Sequence, residues 1–254
     1  MDEIIRIRGL KKSFGTKEVL KGVDLDIIKG KTTVILGLSG SGKSTIIKHI
    51  VRLLKPDSGE VWVEGVDMAR ADEDEVYRMR KKIGYLFQSG ALFDSMNVYE
   101  NVAFPLHEHT NMSEEQIQKK VRERLRTVGL NPDDVLELYP DELSGGMRKR
   151  VGLARSIVLD PGIILYDEPT SGLDPITSDL ITRLIRNTQQ ELNVTSVLIS
   201  HDIKESFKAG DYFAFLYDGK IIEYGDKEHF QNSTNPYVRQ FLDGKAEGPI
   251  KIVR

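Results

Sequence analysis

The chain has 254 residues, 30% of them charged and 39% hydrophobic, ordinary proportions for a soluble chain that can bury a sizeable core in one or two domains. Its formal net charge of −3 gives no electrostatic footprint for nucleic acid, and the absence of cysteine excludes disulfides and thiol chemistry. No apolar run approaches the roughly 20 residues that span a bilayer, and the acidic start MDEIIRIRG is not expected to act as a secretory signal.

In chain order, short β-rich segments at 4–7 and 23–27 precede TTVIL at 32–36, which is β-branched and apolar enough for a buried strand. GLSGSGKST follows at 37–45. Gly37, Gly42, Lys43 and Ser44 fit G-x-x-x-x-G-K-[ST], a loop whose backbone N–H groups turn inward and cradle phosphates at a helix start. Ser39, Gly40, Ser41 and Thr45 complete the loop, and 45–54 has the apolar spacing of a helix. Lys43 is assigned to the β- and γ-phosphates of a nucleotide and the Ser44 hydroxyl to Mg²⁺.

Residues 88–160 read as mainly helical. Ser113 followed by Gln116 is a capping-box pattern, and Ile117, Val121, Leu125 and Val128 share one face before Gly129, with Lys119, Lys120, Arg122 and Glu123 on the solvated side. Ahead of it, SGALFDSMNVYENVAFPL at 89–106 carries Leu92, Phe93, Met96 and Val98. These residues form either a partner's docking groove or the core of the helical lobe itself.

Ser144, Gly145 and Gly146 precede a helical segment at 147–158. Its free N–H groups and positive dipole end form a second anion site, and Ser144 can also serve as its N-cap. Ile163, Ile164 and Leu165 then run into Tyr166, Asp167 and Glu168, placing two carboxylates at the carboxyl end of a buried strand. Asp167 is the expected Mg²⁺ partner; Glu168 can face the γ-phosphate and polarise the attacking water. Each motif occurs once, so two complete ATP sites need two chains.

With Leu143 and Met147 around that second anion site, the chain reads LSGGM, and here it resembles the nucleotide-binding subunits of ATP-binding cassette (ABC) transporters, whose signature is LSGGQ. The resemblance covers nearly the whole chain. It implies an α/β P-loop NTPase fold of the ABC-ATPase type: a RecA-like core with an antiparallel β subdomain at 1–87 and 161–243, an inserted helical subdomain at 88–160, and an extension at 244–254. It further implies that Phe14 (KKSFG) stacks on adenine, that Gln88 (YLFQ) touches Mg²⁺ and water, that Asp174 (SGLD) lies in the loop crossing a homodimer, and that His201 (LISHD) holds the γ-phosphate. Met147 departs from the usual glutamine and Phe14 from the commoner tyrosine, and neither change removes a catalytic group.

The phrases FQSGALFDSMNVYENVAFPL, LSGGM and FLDGKAEGP are similar to those of the ATPases of Mla-type (MlaF-like) phospholipid transporters. That similarity implies an ATPase peripheral on the inner face of the cytoplasmic membrane, working with an MlaE-like permease and an MCE-domain lipid-binding protein of the MlaD kind. An importer ATPase for amino acids or other small solutes would share every catalytic residue, and a soluble ABC ATPase without a permease is the alternative of another class.

Overall fold

A computed structural model of the chain describes residues 2–251. The chain forms two compact units, one from the residues up to 71 and from 198 onward, the other from 72–197.

The first unit opens with β1 (Glu3–Phe14) and β2 (Lys17–Ile28), an antiparallel hairpin whose inward residues Ile5, Ile7, Leu20, Val23 and Ile27 have no exposed surface. β3 (Thr32–Leu36) is buried along its whole length, as a continuous β-branched run predicts, and leads into the glycine loop and α1 (Lys43–Ile50). β4 (Ser58–Val63) pairs with β1 and with β5 (Val66–Asp67), giving the antiparallel order β2-β1-β4-β5. α1 stops at Ile50 rather than running to 54. Arg52 takes a left-handed φ of 51°, and Leu53 N bonds back to Lys48 O at 2.8 Å, a closure that ends a helix by satisfying its last carbonyls.

The second unit runs through α2 (Glu73–Lys81), β6 (Ile83–Leu86), α3 (Val98–His109), α4 (Glu114–Thr127), α5 (Pro132–Val135), α6 (Gly145–Ile157), β7 (Ile163–Asp167) and α7 (Pro175–Leu192). The capping box at Ser113 starts α4 as its sequence predicts, and Ile117, Val121, Leu125 and Val128 are all buried. β6 and β7 pair in parallel, Leu86 opposite Tyr166, so both strands deliver their carboxyl ends to the same edge.

β8 (Thr195–Ile199) is the strand in which the chain passes from the second unit to the first. α8 (Ile203–Ala209), β9 (Tyr212–Tyr217), β10 (Lys220–Asp226), α9 (Lys227–Gln231) and α10 (Pro236–Leu242) complete the first unit, where β9 lies parallel to β3, Leu36 opposite Phe215. The segment after Gly244 folds back on α10. Gln240 donates to Ile250 O at 3.2 Å and accepts from Ile250 N at 2.7 Å, and Ile250 is 4% exposed. Of the expected extension at 244–254, residues 252–254 lie outside the described residues. No described helix is long and apolar enough to cross a membrane.

Candidate nucleotide-binding and hydrolytic residues

In the first unit the glycine loop sits between β3 and α1, and two of its glycines are required by close approach. A Cβ at Gly37 would stand 2.5 Å from Leu216 O, and one at Gly42, where φ is 103°, would stand 2.8 Å from a Val19 methyl. No side chain caps α1, and the buried Ser41 hydroxyl has no partner among the described atoms. Lys43 is 4% exposed; its Nζ donates to Gly37 O at 3.0 Å and Leu38 O at 2.8 Å, which holds the ammonium across the loop mouth. Ser39 and Gly40 are exposed at the loop tip, and Ser44 and Thr45 are half-buried in the first turn of α1. These features fit a polyphosphate.

Two further expected contacts of a nucleotide are in the same unit. Phe14 ends β1 with 48% of its surface exposed and Lys12 Nζ 5.8 Å from its ring centroid, an arrangement available for stacking on a base. His201 follows β8 and the buried Ser200, exposed just before α8.

In the second unit β7 ends in Asp167, which is 6% exposed, and Glu168 follows with φ 47°, a left-handed backbone that few non-glycine residues adopt. Tyr85 in β6 donates its hydroxyl to Asp167 Oδ2 at 3.2 Å. Burial, reinforced by the Asp167 charge, pushes the Tyr85 phenol well above its ordinary pKa, so it remains a donor. Gln88, two residues beyond β6, donates Nε2 to Glu168 Oε2 at 3.2 Å and to Ser171 Oγ at 3.4 Å. Thus the structure joins Gln88 to Glu168 and adds Tyr85 and Ser171, which the sequence reading did not single out; a tyrosine in an otherwise apolar strand was the available signal for the first.

The signature lies at the start of α6. Ser144 is its N-cap and accepts from Met147 N at 3.2 Å, while Gly145 is exposed. Gly146 is buried because a Cβ there would come within 2.6 Å of a Thr177 methyl on α7. Asp174 caps α7: its Oδ1 accepts from Ile176 N and Thr177 N, both at 3.0 Å, and Thr177 Oγ1 donates to Oδ2 at 2.6 Å. Those hydrogen bonds, with the Thr177 hydroxyl foremost, hold its carboxyl below the ordinary range. Just past this cap Ile176 is 84% exposed and Leu180 42%.

Within residues 89–106 the structure separates exposed from buried side chains. Phe93 is 42% exposed and lines a groove of about 610 Å³ with Tyr77, Phe87, Phe104 and Pro105, whereas Val98 is buried within α3. Arg155, near the end of α6, closes the groove from behind. Its Nη2 donates to Gly90 O and Ala91 O, both at 2.8 Å, and its guanidinium stands 5.5 Å from the Phe93 ring centroid.

A phosphate loop, a strand-end Asp-Glu pair joined to a glutamine, and a glycine-led helix start define an ATP-hydrolysing cassette. The ABC transporter family model matches residues 20–171, and the chain belongs to the ABC transporter family. It is 43% identical over 98% of its length to a probable ribonucleotide transport ATP-binding protein of Mycobacterium leprae, of which it covers 72%. It is 41% identical over 98% of its length to the intermembrane phospholipid transport system ATP-binding protein MlaF of Haemophilus influenzae, of which it covers 94%. Among solved structures it is similar to the dimeric ATP-binding cassette MJ0796 in a post-hydrolysis state bound to ADP and Pi, with a TM-score of 0.81, 33% identity, and coverage of 88% of this chain and 98% of that one. The protein is an ABC-type ATPase with the P-loop cassette fold that its motifs imply.

Proposed function

We propose that the chain is the ATPase of a phospholipid transporter, acting as a homodimer that closes around two Mg-ATP and drives a membrane permease. The observation that supports the hydrolytic part is the hydrogen bond from Gln88 to Glu168 at 3.2 Å, which sets an amide against one oxygen of the carboxylate and leaves the other oxygen to accept from a water beside them. Lys43 and the loop amides bind the β- and γ-phosphates, Phe14 stacks on the adenine, and His201 steadies the γ-phosphate. Ser44, Asp167 and Gln88 would each offer an oxygen to Mg²⁺, and the ion would neutralise charge on the β- and γ-phosphates. Glu168 accepts a hydrogen bond from the attacking water and takes its proton as the water oxygen bonds to the γ-phosphorus and the bond to the ADP oxygen breaks; the proton then passes to the released phosphate.

The dimer reading is supported by the exposed start of α6 and by Ile176 and Leu180, apolar residues left uncovered beside the Asp174 cap. Ser144, Gly145 and Gly146 of one chain cover ATP held by its partner, and residues 88–160 move as the lobe that carries them. The groove at Phe93 receives a short helix of an MlaE-like permease, and an MCE-domain protein of the MlaD kind supplies or accepts the lipid. The chain lies peripherally on the inner face of the cytoplasmic membrane. Lipid as the cargo is supported by the 41% identity to MlaF along nearly the full length of both chains.

The test is purification of the tagged chain from its native membranes in mild detergent, with mass spectrometry of the proteins and lipids that come with it. A permease with an MCE-domain protein and phospholipid is the expected result. A permease with a solute-binding protein, or nucleotide cargo of the kind named for the mycobacterial relative, would overturn the lipid assignment. Recovery without any membrane partner would overturn the transporter reading.

A further inference from the structure

Lys149 lies on α6, three residues past the last signature glycine, and is 5% exposed; among the described atoms its Nζ has no hydrogen-bond partner. A buried ammonium without a partner is disfavoured unless nearby charge compensates it. The two neighbouring arginines are engaged with carbonyls, Arg148 with Leu143 O at 3.2 Å and Arg150 with Gly129 O at 3.0 Å.

The packing of α6 on β6 fixes where Lys149 stands. A Cβ at Gly84 would lie 2.3 Å from Ser156 O, and one at Gly152 would lie 2.9 Å from a Leu86 methyl, so helix and strand run in opposite directions with Ser156 over Gly84 and Gly152 over Leu86. Lys149 precedes Gly152 by three residues, about one turn, and so lies on the same face of α6, beyond Leu86 towards the carboxyl end of β6. A Cβ at Gly90 would lie 3.1 Å from Arg148 O and one at Gly152 3.2 Å from Gly90 Cα, so the loop that carries Gln88 turns back along α6 between residues 148 and 152. Because Leu86 is opposite Tyr166, Gln88 is level with Glu168. Lys149 is thereby brought over the strand ends that carry the catalytic pair. Burial pushes its ammonium below the ordinary lysine pKa, and the two carboxylates that oppose this are Asp167 and Glu168.

We propose that Lys149 is a positioning residue for hydrolysis: a cation on the signature helix that holds Glu168, and Asp167 beside it, in the orientation where Gln88 meets Glu168. Adjacent carboxylates repel, and a fixed positive charge above them keeps both ionised side chains at the strand ends. Since the cation belongs to α6, a shift of the signature helix is felt directly by the carboxylate that polarises water. The inference rests on the assignment of Glu168 to water activation.

The experiment compares Lys149→Met, Lys149→Gln and Lys149→Arg in the full-length chain, with Glu168→Gln as the control for that assignment. Turnover, equilibrium ATP binding and apo melting temperature are measured for each. The neutral variants are expected to lose about tenfold in kcat, the size of effect that small misplacements of reacting groups produce. ATP affinity should stay within about threefold of the parent, since no phosphate contact is removed. The melting temperature of Lys149→Met is expected to stay close to the parent's, because the desolvation relieved and the carboxylate attraction lost oppose one another, and Lys149→Arg is expected to recover most of the turnover. Parental kcat in both neutral variants, or an arginine variant no better than methionine, would overturn the role of Lys149 while Glu168→Gln remains inactive. An active Glu168→Gln would overturn the assignment beneath it as well.

Discussion

Gln88 Nε2 donates to Glu168 Oε2 at 3.2 Å, tying a residue two places beyond one strand to the residue that follows its parallel neighbour. Glu168 is held there with φ 47°, and Ser171 N donates to its carbonyl at 3.1 Å, so the carboxylate is aimed by backbone as well as by side chain. The amide occupies one acceptor oxygen of the carboxylate. In the proposed mechanism, a water entering beside it meets a base already oriented.

Lys43 spans the mouth of the glycine loop on the carbonyls of Gly37 and Leu38. Lys43→Ala removes a charge-assisted contact to phosphate worth about 1.5–3 kcal/mol. Calorimetric titration should show ATP affinity lower by about ten- to hundredfold, with turnover lost at ordinary nucleotide concentrations.

Gly146 and Gly145 are adjacent but differ in the room around them. A Cβ at Gly146 meets a Thr177 methyl at 2.6 Å, whereas at Gly145 the nearest atom, a Leu173 methyl, is 3.4 Å away. Gly146→Ala is expected to shift α6 against α7 and to destabilise the protein by about 1–3 kcal/mol in urea unfolding. Gly145→Ala should unfold like the parent.

Arg155 connects α6 to the backbone between Gln88 and the groove. Arg155→Met strips two carbonyls, Gly90 O and Ala91 O, of their donor while keeping much of the apolar volume. Ala91 O is exposed and can turn to water, but leaving the buried Gly90 carbonyl unsatisfied costs about 1–3 kcal/mol, and hydrogen exchange at residues 88–93 should accelerate before the rest of the second unit.

His49 in α1 is 1% exposed, with Nδ1 donating to Thr45 O at 2.7 Å. Burial pushes its pKa below the ordinary 6.5, the Thr45 carbonyl only partly opposing it. A histidine buried in the neutral form contributes its full stability above 6.5, and that contribution falls away as pH drops below 6.5 towards the depressed folded value. Melting temperature should therefore decline on acidification from pH about 7.5 to about 5.5, and His49→Gln should flatten that decline.

The glycine loop, the strand-end carboxylates and the signature were legible because each is a contiguous string whose chemistry depends on local backbone. β3 and β7 announced themselves as buried by unbroken apolar runs, and α4 by its capping box and four-residue stripe. Pairings between distant segments could not be read this way. Tyr85 with Asp167, Gln88 with Glu168 and Arg155 with Gly90 depend on which strand lies beside which and on how α6 is registered against β6. The end of α1 was missed because Arg52, which closes the helix, is not a residue type that signals a left-handed turn. Phe93 and Val98 share one apolar segment, and only the packing of α3 separates groove from core.

The most direct test of a nucleotide-closed dimer is sedimentation velocity of Glu168→Gln, in which binding persists while the water loses its base. With saturating Mg-ATP the account predicts a dimer carrying one nucleotide per chain, which returns to monomer when ATP is replaced by ADP. A species that stays monomeric with ATP bound would contradict it.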